Sequence, residues 1–314
     1  MGASVFDVES PEYVAIRWLH YSALLVLVGV VTFALMVLPL LRRVAGPDLL
    51  PDLRIQTARL GQWSVLLVAV TALMRFVAQS LAMHGERSLP DPAMIAALLR
   101  VTQWGRAWVL EMFAVVVAFL ALRRAANNNG KPWAVAAAAV LAMAISQGMS
   151  GHAAASDTFA TAAVVADTLH IIGAGGWLGG LLLVVLLGVP AALSMAETQR
   201  WPAMAALVNA FSPTALVFAS ITAVTGLFAA WLHIESFPAL WQTRYGQVLL
   251  LKLGVLSVTA GIGCYNWQRV KPMLGSGPDG TRRLQRSAAA ELGIGILVIL
   301  ITAVLVATPT GMDM

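Results

Sequence analysis

The stretch that decides the fold is SQGMSGHAAASDTFATAAVVADTLHIIGAGGWLGG, residues Ser146–Gly180. It ends one strongly apolar segment and begins the next, and it holds His152, Asp167 and His170 in a chain that has only five histidines. An ionisable side chain at the centre of a bilayer costs roughly 2.5 kcal/mol or more, so such groups tend to be functional. This stretch is therefore the first place to expect a functional site.

The composition indicates a membrane protein with several spans. Hydrophobic residues make up 59% of the 314 residues and charged residues only 11%, whereas a soluble domain has about 25% charged residues. The apolar runs are about twenty residues long, which favours helices over the short alternating strands of a membrane β-barrel. A net charge of +5 would suggest nucleic-acid binding in a soluble protein. Here the basic residues lie between the apolar runs, where they indicate topology instead.

Two further features narrow the class of protein. The single cysteine, Cys264, excludes an internal disulfide and a metal site built on paired thiolates. The N-terminal residues MGASVFDVESPEY are polar and acidic, without a basic region before the first apolar run. This pattern predicts that there is no cleavable signal peptide.

Eight apolar segments predict an all-α integral membrane protein, a bundle of eight transmembrane helices in a single domain over residues 1–314. Proline and glycine lie in the gaps between the segments, and none of these gaps is long enough for a further domain. The segment DPAMIAALLR, before the third span, is expected to form a short helix on the membrane surface. The predicted spans are about 14–40, 59–83, 102–122, 132–150, 160–189, 207–233, 246–268 and 288–308.

The Lys and Arg residues predict the orientation of the bundle. The first, third, fifth and seventh gaps hold most of them, whereas the even-numbered gaps hold only Arg87, Arg100 and Arg244. The positive-inside rule then makes the odd-numbered gaps cytoplasmic and both termini periplasmic. On this map all five histidines fall in the outer half of the protein, namely His20, His84, His152, His170 and His233.

Asp167 and His170 are the central candidates for a metal site. They are three residues apart in the fifth segment, which places them on one face of a helix. A carboxylate beside an imidazole can orient the ring and complete the surroundings of a metal ion. The same pair could serve as a proton relay, or it could be a buried ion pair that only ties the helix to a neighbour.

His152 and Met149 are also three residues apart, at the end of the fourth segment. A thioether together with an imidazole suits copper. The alternative is a turn that ends the helix, with the histidine facing solvent. His84 follows Met83 in a similar pairing at the end of the second segment.

Two histidines stand apart from these pairs. His20, in the run RWLHY, lies deep in the first apolar segment and is a further candidate ligand. His233, in the run WLHIES, fits a belt of aromatic residues at the membrane interface with Trp231, and that position is favoured over ligation.

The remaining motifs favour structural roles. The run GAGGWLGG holds two overlapping GxxxG spacings, which permit close approach of another helix and do not match a nucleotide-binding loop. Lys252 and Glu291 are candidates for an interhelical pair or a translocation path, although their depths, near opposite ends of their helices, argue against a direct contact. A structural role is an equal alternative for both.

Several runs resemble those of a known family. These are RWLHYSALLVLVG, GRAW, GHAAAS, DTLHIIGAGGWLGGL, YGQVLLLKLGVLSVTAGIGCYNWQRVKP and LQRSAAAELGIGILVILITAVLVATPT. In this order and placement they resemble the CopD family of bacterial inner-membrane proteins for copper resistance and homeostasis. The resemblance implies movement of copper across, or delivery into, the cytoplasmic membrane, with a periplasmic CopC-like copper carrier as partner. Some relatives carry a fused CopC-like domain. This chain has no room for one, so the partner is expected to be a separate protein.

These observations together predict a copper-binding inner-membrane protein that takes copper from the periplasmic side and moves it into or across the membrane. The predicted ligands are His152, Asp167 and His170, which also lie in the matching runs, with His20, His84 and Met149 as auxiliaries. Because no nucleotide-binding element or nucleophile constellation is present, transport is predicted rather than catalysis.

Two alternatives remain open. One is a membrane redox protein that holds haem between His20 and His170. The other is a copper sensor or docking protein for a periplasmic carrier that does not itself transport.

Overall fold

The computed structural model describes residues 6–45, 50–84, 91–126, 130–151, 159–234, 236–275 and 277–309. Within these ranges the chain is helical and contains no strand. Eight of the helices described are long and apolar enough to cross a membrane, which confirms the predicted all-α bundle. In chain order the helices are α1 (Pro11–Arg42), α2 (Leu50–His84), α3 (Pro92–Val101), α4 (Gln103–Ala125), α5 (Lys131–Ser150), α6 (Ala160–Leu193), α7 (Glu197–His233), α8 (Ala239–Gln242), α9 (Arg244–Met273) and α10 (Pro278–Ala307). The short helices α3 and α8 do not span.

Several spanning helices are longer than the hydropathy pattern predicted. Helix α2 begins at Leu50 rather than at 59, α7 at Glu197 rather than at 207, and α10 at Pro278 rather than at 288. The added turns are polar, so they contribute nothing to an apolar window although the backbone continues as a helix. Because the number of spans is even, both ends of the described chain lie on one side of the bundle. That this side is periplasmic stays a prediction, as does the single domain over residues 1–314.

Two spans begin with the same threonine cap followed by a glycine. Thr102 accepts a hydrogen bond from the backbone N–H of Gly105 at 2.9 Å at the start of α4, and Thr243 accepts one from Gly246 at 3.0 Å at the start of α9. A Cβ atom on either glycine would overlap the backbone of the short helix that precedes it. The threonine caps the new helix, and the glycine lets α3 and α8 turn tightly against α4 and α9.

The centre of the bundle is the contact between α1 and the middle of α6. A Cβ atom on Gly29 would lie 2.6 Å from the Cα atom of Gly179, and one on Gly179 would lie 3.0 Å from the Cα atom of Gly29. The two backbones can touch only because both residues lack a side chain. Gly175 also packs against α1, whereas Gly176 and Gly180 pack against α7. The run GAGGWLGG therefore packs against a helix on each side, as the two GxxxG spacings predicted.

A set of buried polar side chains ties α1 to α2, α4 and α5. His20 is fully buried; its Nδ1 atom lies 2.9 Å from the Thr71 hydroxyl, and its Nε2 atom lies 2.9 Å from a carboxylate oxygen of Glu111. Arg75 lies 3.8 Å from the other carboxylate oxygen of Glu111 and donates to the Gln147 amide oxygen at 2.6 Å. These five residues are called the His20 cluster below. Its charges are paired within the membrane, as a low dielectric requires.

We expect Gly179→Ala to destabilise the protein, because the new methyl group must push α1 and α6 apart. Overpacking of this kind typically costs about 1–3 kcal/mol. The matched control is Gly254→Ala in α9, where the added Cβ meets open space and where alanine favours a helix by about 0.5–1 kcal/mol. Thermal unfolding of the purified protein in detergent measures both. Equal melting temperatures for the two variants would contradict the central packing described here.

Glu111→Ala is expected to destabilise the protein by about 3–5 kcal/mol, because it leaves Arg75 buried without a carboxylate partner. The matched control is Glu9→Ala. That residue pairs with Arg244 at 2.8 Å, but the arginine side chain is 69% exposed, so the loss is expected to be about 0–1 kcal/mol. Chemical denaturation of each variant gives the difference in the free energy of unfolding. A similar loss in both variants would show that the His20 cluster does not hold the helices together.

Candidate metal centre

A cavity of about 220 Å³ lies between α1, α6, α7, α9 and α10. It is near the end of the bundle at which α7 ends and α9 begins. Most of its wall is aliphatic, and its polar lining residues include Gln147, Asp167, His170, His233, Tyr245 and Lys252. A cavity with an apolar wall and a few convergent polar groups is the usual form of a ligand site.

Helix α6 supplies Asp167 and His170 to one wall of this cavity. Their spacing of three residues predicted a shared helix face, and the structure places both on the cavity wall. Lys252, from α9, lines the same space. Within the described chain its ammonium group does not come within 4.0 Å of the Asp167 carboxylate. Asp167 and Lys252 therefore line one cavity without forming a contact pair.

The hydrogen bonds of His170 determine which ring nitrogen is available. The Thr225 hydroxyl donates to the backbone carbonyl of Ile221 at 2.6 Å, so its oxygen accepts from the Nδ1–H of His170 at 3.1 Å. The Nε2 atom then carries the lone pair, and no described side chain bonds to it. The ring also packs against Gly226, where a Cβ atom would lie 3.0 Å from Cε1 of the imidazole. His170 is thus held in one orientation with Nε2 open to a ligand.

His233 has the same arrangement at the end of α7. Its Nδ1 atom lies 2.8 Å from the backbone carbonyl of Ala229, which can only accept, so Nδ1 carries the proton and Nε2 is left for a ligand. The ring stacks on Tyr245, with centroids 5.8 Å apart and an interplanar angle of 27°. We expected this histidine in an aromatic belt at the membrane interface; that position stays a prediction, and the structure places the residue in the cavity wall. The small and polar residues Thr222, Gly226 and Ala229 precede it at helical spacing, and this was the signal that could have identified it.

His20 does not reach the cavity. Both of its ring nitrogens are engaged, by Thr71 and by Glu111, within the His20 cluster. The haem alternative paired His20 with His170, and ligation through Nε2 of His20 would require breaking its contact with Glu111. The cluster nevertheless touches the cavity through Gln147, which accepts from Arg75 and also lines the cavity.

The other predicted ligands lie elsewhere or cannot be placed. Met149 is partly buried in α5 and is not among the described residues that line the cavity. His84 is the last residue of α2, but its side chain lies outside the described part of the chain, and His152 lies outside it altogether. Gly151, immediately before His152, lines the cavity. Across the described ranges no three His, Cys, Asp or Glu side chains converge on one point.

Glu291 lies on the far side of Trp177 from the cavity. The indole of Trp177 lines the cavity, and its Nε1–H donates to Glu291 at 3.1 Å. The Asn266 amide donates to the other carboxylate oxygen of Glu291 at 3.3 Å. Glu291 is 4% exposed, and no Lys, Arg or His lies within 4.0 Å of it in the part of the chain that is described. It is a buried carboxylate held by neutral donors.

Comparisons with known proteins agree with the earlier resemblance. The chain matches the family model of copper resistance protein D over residues 205–305, and the model of the copper resistance protein D-like N-terminal domain over residues 8–162. It is 26% identical over 261 residues to the copper transport protein CutJ of Bacillus subtilis (strain 168), which covers 81% of this chain. The chain spans only 46% of the length of that relative.

A second relative aligns over nearly its whole length. The chain is 26% identical over 309 residues to copper resistance protein D of Pseudomonas syringae pv. tomato, which covers 93% of this chain and 94% of that protein. No solved structure matches the chain. With both family models matching in order along a bundle of eight membrane helices, the chain belongs to the CopD family of copper resistance and transport proteins.

Proposed function

We propose that this protein binds copper in the cavity, takes it from the periplasmic side of the bacterial cytoplasmic membrane and passes it inward. The observation that carries the proposal is the pair of cavity-lining imidazoles, His170 and His233, each with its Nδ1–H bonded to the protein and its Nε2 without a described hydrogen-bond partner. Imidazole accepts both oxidation states of copper. Fixing the second nitrogen is how proteins orient a histidine ligand.

Asp167 and Lys252 have opposite effects on the affinity of the cavity for a cation, which suits a transported ion. The carboxylate of Asp167 attracts a cation into the cavity, whereas the ammonium of Lys252 competes with that cation for the carboxylate. A transport site must bind strongly enough to capture its cargo and weakly enough to release it. His152 remains a proposed ligand at the mouth, because it follows Gly151 of the cavity wall; His84 and Met149 also remain proposals. His20 is no longer proposed as a copper ligand; its role is to hold the neighbouring His20 cluster in place.

The inward route is proposed to pass Trp177 and reach Glu291. The indole stands between the cavity and the carboxylate and is hydrogen-bonded to it. A cation that passes this ring would meet a buried carboxylate and the amide of Asn266. The membrane potential favours inward movement of positive charge.

The partner and the class of activity are also part of the proposal. A periplasmic CopC-like carrier is proposed to deliver copper to the cavity, as the family resemblance implies. The proposed activity is transport rather than catalysis.

His170→Ala and His233→Ala are each expected to weaken copper binding strongly, because each removes a proposed nitrogen ligand whose orientation is fixed by the protein. Thr225→Val removes only the acceptor that orients His170, and loss of such a partner typically costs 10–100-fold in metal affinity. Equilibrium dialysis with cupric ion, and with cuprous ion under ascorbate, measures the dissociation constants. Gly254→Ala is the control, because its Cβ meets open space and the residue is not among those that line the cavity. Unchanged affinity in both histidine variants would overturn the proposed site.

Glu291→Leu is expected to abolish copper uptake into proteoliposomes while copper binding is retained, since the carboxylate lies beyond the cavity. Uptake is followed with a copper indicator trapped inside the vesicles, and binding is measured on the same preparation. Glu197→Leu, at the first and exposed turn of α7, is the control for removing a carboxylate. A native protein that binds copper without any uptake would instead support the sensor or docking alternative.

A further inference from the structure

The two halves of the described chain contain the same order of elements. In the first half, spans α1, α2, α4 and α5 include the short helix α3 before the third span. In the second half, spans α6, α7, α9 and α10 include the short helix α8 at the same place. Because four spans return the chain to its starting side, both halves cross the membrane in the same directions. Repeats of this kind are related by an axis along the membrane normal.

The first helix of each half carries a histidine with the same partner. His20 Nδ1 lies 2.9 Å from Thr71 on the second span, and His170 Nδ1 lies 3.1 Å from Thr225 on the second span of its own half. In both halves the threonine hydroxyl also donates to the backbone carbonyl four residues earlier, at 2.8 and 2.6 Å. The threonine bond to its own helix recurs elsewhere in the chain, so the shared feature is the contact between the histidine and the threonine.

The same spacing continues beyond the histidines. Gly29 follows His20 by nine residues and Gly179 follows His170 by nine residues, and these are the two glycines whose backbones touch at the centre of the bundle. A contact between equivalent positions is expected where an axis that relates two copies passes between them.

The third spans are equivalent as well. Each begins with a threonine cap and a glycine, Gly105 or Gly246, that packs on the preceding short helix. Six residues after the glycine stands an ionisable side chain, Glu111 in the first half and Lys252 in the second. Glu111 contacts the histidine of its own half, and the charge of Lys252 acts on the histidine of its own half.

We propose that the chain is an internal duplication, in which the His20 cluster is the closed copy of the cavity and the guanidinium of Arg75 is its resident cation. Arg75 stands four residues after Thr71, and Ala229 stands four residues after Thr225. In the second half the methyl group of Ala229 leaves a cavity of about 220 Å³. In the first half the space lined by Arg75 and Glu111 has a volume of about 0 Å³.

The walls of the two spaces support this equivalence. The closed space is lined by Trp104, Trp108 and Glu111 of α4. Relative to Gly246 of α9, the residues at the same sequence positions as these three are relative to Gly105 are Tyr245, Leu249 and Lys252. All three line the cavity.

Removal of the guanidinium should open a site with the imidazole of His20, the carboxylate of Glu111 and the amide oxygen of Gln147. This set of ligands fits a small cation, such as a divalent transition metal or free guanidinium. The metal part rests on the proposed function, whereas the duplication and the role of Arg75 do not.

The test is Arg75→Ala. We expect it to lower the melting temperature, and we expect millimolar guanidinium chloride, but not equal sodium chloride, to recover at least half of the loss. Neither salt should shift the native protein. Cupric ion binding by equilibrium dialysis should give one more ion per chain than the native protein, and Arg75→Ala combined with His20→Ala should lose that additional ion.

A folded Arg75→Ala variant without guanidinium rescue would overturn the role of Arg75, and rescue without an additional cupric ion would overturn the metal site. A native protein that binds no cupric ion, beside a variant that binds one, would overturn the proposed function and support this inference.

If Arg75→Ala does not fold, the reverse exchange tests the duplication. Ala229→Arg alone places a second cation beside Lys252 and should lower the melting temperature. Adding Lys252→Glu should restore it and abolish copper binding in the cavity, because the pair of the closed copy is rebuilt. A double variant no more stable than Ala229→Arg would contradict the equivalence.

Discussion

The structure depends on one close contact, the approach of the α1 and α6 backbones at Gly29 and Gly179. Without side chains at these positions the two helices form a shared axis for the bundle. Around this contact α2 packs on α1, α4 on α2 and α5 on α4, whereas α7 packs on α6 and α10 packs on α9. His20 and His170, nine residues before these glycines, are thereby directed into opposite halves. The contact thus determines the number of polar sites and their separation.

The two halves resolve the same physical problem in different ways. A buried charge in a low dielectric needs a partner, and in the first half Glu111 finds one in Arg75, so the space is full and rigid. In the second half, Asp167 and Lys252 face each other across an open cavity without direct contact. Each imidazole there is oriented by one nitrogen and leaves the other unused. The first arrangement contributes stability, whereas the second leaves room and ligands for an ion.

Hydropathy was sufficient to predict the eight spans, because a helix is the only element that satisfies the backbone of a twenty-residue apolar run in lipid. The spacing of three residues was likewise sufficient to predict that Asp167 and His170 share one face of a helix. It could not predict that His20 contacts Glu111, since that contact joins distant segments. His233 was assigned to the interface because its own neighbours are aromatic, and only the packing of α7 against α6 brings it to the cavity.

The turn Gly175–Gly179 in α6 is a π-helical turn, which accommodates one residue more than an α-helical turn. That additional residue sets the angular phase between the part of α6 before it and the part after it. Deleting one residue would return the turn to α-helical geometry and rotate Ala160–Ala174 by about 100°. Asp167 and His170 would then leave the cavity wall, even if Gly179 kept its contact with Gly29. The residue count of this turn is therefore as much a part of the proposed metal site as the proposed ligands are.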